Sequence, residues 1–69
     1  MLSGRQQWAL QRARLCSQVE SMDIARHFGV SRELGRQDLV LLLQLGLLVR
    51  RGKGKGTVYE LAEGEVRRG

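Results

Sequence analysis

The stretch "IARHFGVSR", Ile24–Arg32, decides how this chain is read. Ile24, Ala25 and Phe28 recur at helical spacing, so the stretch begins as a helix. Gly29 then stands where a left-handed residue ends one. Val30 is apolar inside the turn and can plug the gap beneath it. Ser31 can accept a hydrogen bond from a backbone N–H ahead of it and so start a new helix. Ala25 is small enough for the two helices to cross closely. Helix, tight turn and second helix are all written here.

Upstream, Ser21 is the expected N-cap of the helix Met22–Phe28, with Asp23 in its first turn facing the positive end of the dipole. An earlier helix is predicted from about Ser3 to Ser17. Trp8, Ala9, Leu15 and Cys16 form a thin apolar stripe on it, with Arg12 and Ala13 between. Trp8 is the expected anchor on the core and Cys16 an expected core residue. Val19 stands alone among polar residues. Downstream, a third helix should run from Arg32 to about Leu45 and close at Gly46. Its core face is Leu34, Leu39, Leu42 and either Leu43 or Leu45. "LLVRR" (Leu47–Arg51) and "TVYEL" (Thr57–Leu61) are β-rich runs either side of a glycine-containing loop, which predicts an antiparallel hairpin with Tyr59 and Leu61 inward. The expected fold class is α+β: three helices followed by a two-stranded antiparallel β-hairpin, in one domain over residues 1–61. The tail 62–69 mixes charge and glycine without periodicity and is expected to fray.

Sixty-nine residues leave no room for a substrate domain beside a catalytic one, which favours a binding module or a fragment of a larger protein. Twelve Lys and Arg against seven Asp and Glu give a net charge of +5. That excess favours a polyanionic partner, although a solvated basic surface has the same composition. One cysteine and one histidine allow neither an internal disulfide nor a cysteine-based zinc site. No metal or other cofactor is expected. No Ser-His-Asp set or paired-carboxylate spacing stands out, so the chain is not read as an enzyme. "MLSGRQQW" lacks the apolar core of a signal peptide. The longest apolar run, "LVLLL" at 39–43, is too short to span a bilayer. A membrane is therefore not an expected partner. The expected location is the cytoplasm, on the nucleoid if the source is prokaryotic.

"MDIARHFGVSRELGRQDLVLLLQLGLLVRRGKGKGTVYEL", Met22–Leu61, resembles a winged helix-turn-helix domain. "IARHFGVSR" looks like that family's turn between helices, and the remainder looks like the end of its third helix followed by a wing. The hairpin and turn also resemble the C-terminal winged-helix modules of some Fic-type proteins. The resemblance implies double-stranded DNA as partner, in transcription regulation. The third helix would lie in the major groove with Ser31 at its start and Arg32, Arg36 and Gln37 toward the bases. Arg36 and Glu33 have a competing reading as a solvated pair within the helix. In the wing, Arg50 and Arg51 would supply cations at its base and Lys53 and Lys55 at its tip, all toward the phosphate backbone.

Three features qualify that picture. Gly35 costs a helix about 1 kcal/mol relative to Ala, and it either allows a close crossing or weakens the helix. "LVLLL" is apolar all round, which makes Val40 and Leu41 candidates for a partner interface. The alternative function is thus a protein-interaction or dimerisation module, with a second copy or a parent enzyme as partner. The competing reading of this run is a core covered on both sides. Last, the glycine–cation loop misses the Walker spacing, because Val49 stands where its first glycine should be and Gly56 where Ser or Thr should follow Lys55.

Overall fold

Each helix of the computed structural model, which describes residues 2–52 and 57–62, begins at a cap that its own side chains build. Helix α1 spans Gly4–Cys16. Ser3 Oγ accepts from the Gln6 N–H at 3.3 Å, and Gln6 Oε1 accepts from the Ser3 N–H at 3.0 Å, closing a capping box. Helix α2 spans Ser21–Phe28 and starts one residue earlier than expected, with Glu20 rather than Ser21 as its cap. The cause is Asp23, whose Oδ2 accepts from the Glu20 N–H at 2.8 Å. Gly29 ends α2 at φ 68°, as expected. Helix α3 spans Arg32–Gln44, and Ser31 Oγ accepts from the Leu34 N–H at 3.1 Å.

Strands β1 (Leu48–Arg51) and β2 (Val58–Leu61) pair antiparallel, with Leu48 opposite Leu61 and Arg50 opposite Tyr59. The arrangement is α+β, three helices and then a two-stranded antiparallel sheet, consistent with a winged-helix layout. Ala62 extends the pairing by donating its N–H to the Leu47 carbonyl at 3.0 Å. The remaining tail, 63–69, lies outside the described residues, as do Lys53 and Lys55.

Val19 is not isolated. It forms a one-residue bridge on the free edge of β2, exchanging backbone hydrogen bonds of 2.8 and 2.9 Å with Tyr59. Val19 and Tyr59 are both buried, with Ile24, Leu39, Leu42 and Leu48 completing the larger part of the core.

Helix α1 corrects the expected stripe. Its buried residues are Ala9 and Ala13, one turn apart, and their small side chains let its backbone come close. Leu15 is 75% exposed and Cys16 is exposed, because both fall past the end of that contact. Trp8 packs partly against the core and stacks on His27 with ring centroids 4.4 Å apart, while Phe28 meets it edge-on. In α3, Leu39 and Leu42 are buried as expected, Leu34 is half-buried, and Leu43 packs against the core's edge. Leu45 is 55% exposed. The polar addition to the core is Asp38, whose carboxylate accepts from Arg5 Nε at 2.6 Å and Gln6 Nε2 at 3.2 Å. This ties the start of α1 to the middle of α3 and holds the Arg5 guanidinium further up its already high range, first through the hydrogen bond and then through the charge.

Candidate nucleic-acid interface

Ser31 is the hinge of the site. By capping α3 it leaves the first turn and a half open, and Arg32, Glu33, Arg36 and Gln37 are all exposed there. Their spacing of i, i+1, i+4 and i+5 places them on one face. Gly35 lies on the opposite side, buried against α2. Its loss of a side chain therefore does not thin out the exposed face; it seats the helix.

Within that face the residues are not equally free. Arg36 is paired to Glu33, with Nη2–Oε2 at 2.6 Å and Nε–Oε1 at 3.4 Å. The pair lowers the Glu33 carboxyl below the usual range, through the Arg36 hydrogen bond first, then its charge, with Gln37 adding a smaller part. The reciprocal effect raises Arg36. The intrahelical pairing is thus what the unbound protein adopts. Arg32 makes no ion pair among the described residues.

The hairpin register divides the two arginines that the sequence grouped. Residues of matching parity across a strand pair share a face, so Leu48, Arg50, Tyr59 and Leu61 look one way and Val49, Arg51, Val58 and Glu60 the other. Arg51 accordingly pairs with Glu60 at 3.3 Å, away from α3. Arg50 instead joins Arg32 and Arg36 around a cleft of about 750 Å³ between the N-terminal ends of α2 and α3 and the hairpin, with Tyr59 also in its wall. Tyr59 enters this site from the core, which the sequence reading did not anticipate.

Val40 and Leu41 lie one to two turns further along the exposed side of α3. Val40 is half-buried and Leu41 is 38% exposed, and Leu45 continues Leu41 one turn on. The run "LVLLL" is thus divided: Leu39 and Leu42 fill the core, Leu43 packs against it, Val40 is half-buried and Leu41 opens outward. Among the described residues, no group of three or more His, Cys, Asp or Glu side chains could hold a metal ion, and no helix is long and apolar enough to cross a membrane. In comparisons with known proteins, no family model matches the chain, and neither a curated protein nor a solved structure does.

Proposed function

We infer that this chain is a winged helix-turn-helix module that binds double-stranded DNA, acting in transcription regulation in the cytoplasm. The observation that carries the reading is the convergence of Arg32, Arg36 and Arg50 beside the open first turns of α3. A helix presented this way fits a major groove, and its flanking cations suit the phosphates that border the groove. Arg32 and Gln37 are the side chains placed to reach base edges, with Arg36 joining them once it leaves Glu33. Lys53 and Lys55 are assigned to the backbone beyond the hairpin. No catalytic step is assigned.

The test is a titration of labelled duplex DNA at two salt concentrations. Binding at low salt that weakens steeply as salt rises supports the reading, because each phosphate neutralised releases counterions. Absence of binding at low salt overturns it.

A second reading is favoured by Leu41 and Leu45, which leave an apolar pair outward on α3. In it the module docks on a second copy of itself through this face. Sedimentation of the wild type and Leu41→Lys separates the two: a dimer that the substitution dissolves supports it, and a monomer in both sinks it.

A further inference from the structure

We propose that the cleft between α3 and the hairpin is a phosphate seat in which the Tyr59 hydroxyl is a hydrogen-bond donor. Tyr59 is only 4% exposed, and its backbone is fixed to Val19 by both of its hydrogen bonds. Those bonds leave Arg50 and Tyr59 as a non-hydrogen-bonded cross-strand pair, the kind whose side chains stand closest. Among the side-chain hydrogen bonds between described residues none involves the phenol, and no buried side-chain polar atom among those residues lacks a partner. The hydroxyl is therefore not sealed without a partner in the core, and Tyr59 lines the cleft.

The chemistry around it selects an anion with several acceptor oxygens. Arg50 offers a charged donor beside Tyr59, Arg32 and Arg36 add positive charge to the wall, and Ser21 lies at the start of α2 in the same wall. Among the described residues of the wall Glu20 is the one carboxylate against three arginines, so the wall remains net cationic. The volume falls within the range of about 300–1,000 Å³ seen for ligand sites, enough for a phosphate with an attached sugar. The phosphate is either a phosphodiester of duplex DNA or a free phosphate. Naming the phosphodiester rests on the DNA reading; the seat itself does not.

The experiment uses Tyr59→Phe, which keeps the ring that fills the core, and Arg50→Gln on the exposed side. Each is titrated with labelled duplex DNA across salt concentrations, with thermal unfolding confirming the fold. Tyr59→Phe is expected to weaken binding about ten-fold, the worth of one charge-assisted hydrogen bond, with the salt slope unchanged because no charge is lost. Arg50→Gln is expected to weaken binding and reduce the slope by about one. If the wild type binds and Tyr59→Phe binds equally well, the seat is overturned while the DNA reading stands, whatever Arg50→Gln does. If the wild type binds no duplex at low salt, the DNA reading falls, and inorganic phosphate decides the seat by amide shifts at Arg50 and Tyr59. Shifts seen in the wild type and absent from both variants support it, and no shift in the wild type overturns it. Should Tyr59→Phe fail to fold, Arg50→Gln and the phosphate shifts carry the test.

Discussion

At Gly35 an added Cβ would stand 2.7 Å from the Ser21 carbonyl oxygen and 3.2 Å from the Ile24 Cβ. Ala is the better helix former by about 1 kcal/mol, yet here the obstacle is backbone of a packed helix, which cannot yield cheaply. Gly35→Ala is expected to cost about 1–2 kcal/mol net, read as a lower urea midpoint with unchanged slope. A midpoint at or above the wild type would show that α2 and α3 separate freely. Ser17 presents the opposite case. It ends α1 at φ 75°, in a left-handed conformation that glycine adopts without strain. Ser17→Gly should therefore stabilise the fold by about 0.5 kcal/mol, the relief of strain exceeding the added freedom of the unfolded chain. A fall in the thermal midpoint would contradict this. Gly29 and Ser31 were legible in the sequence because a cap is local chemistry. Gly35 was ambiguous there because its role lies in the helix opposite.

Among the elements, α3 carries both the strongest internal pair of the site and the buried carboxylate that fixes α1. Glu33 and Arg36 are both exposed, so their pairing does little for stability. What it does is occupy a cation and leave a carboxylate facing the proposed groove. Glu33→Gln frees Arg36 and removes that repulsion, and duplex affinity at low salt should rise by roughly three-fold or more. An unchanged affinity would place Glu33 away from the nucleic acid. The same pair sets a pH dependence. Because folding lowers the Glu33 pKa, its contribution is complete above the unfolded carboxylate range and disappears as pH falls through the folded value. The thermal midpoint of Glu33→Gln should lack that acid-side loss when compared with the wild type. Asp38 is the structural counterpart: Asp38→Ala should cost about 1–3 kcal/mol, since Arg5 and Gln6 lose a buried acceptor. Periodicity could reveal Leu39 and Leu42, but it could not reveal Asp38, because a buried charge looks like any solvated one until its partners from α1 are placed. Register was equally hidden. The sequence shows that Arg50 and Arg51 begin a hairpin, while only the pairing of Arg50 with Tyr59 says which of them turns toward α3. The one-residue bridge at Val19 is too short for any alternation to announce it.

At the scale of the whole molecule, the longest extent is 33 Å, about one turn of B-form DNA. A single copy can therefore cover no more than roughly 10 base pairs, and the two candidate surfaces on α3 predict different stoichiometries on a longer duplex. Leu41 and Leu45 lie about 140° and about 180° around the helix from Arg36, so a partner seated on this apolar pair would approach α3 from a different side than the DNA. For one copy, the cations assigned to DNA are Arg32, Arg36, Arg50, Arg51 and the two lysines Lys53 and Lys55. The expected salt slope for a monomer is about −3 to −5, since Arg51 faces away with Glu60 and Arg36 starts paired. Two copies held through Leu41 and Leu45 would double the footprint to about 20 base pairs and steepen the slope toward about twice that value. Footprint and slope measured on the same duplex, for the wild type and for Leu41→Lys, distinguish these outcomes. A short footprint with the shallow slope in both proteins makes the chain a monomeric reader. A long footprint that Leu41→Lys halves makes α3 a helix with two partners along its length, DNA at the start and a second copy at the end.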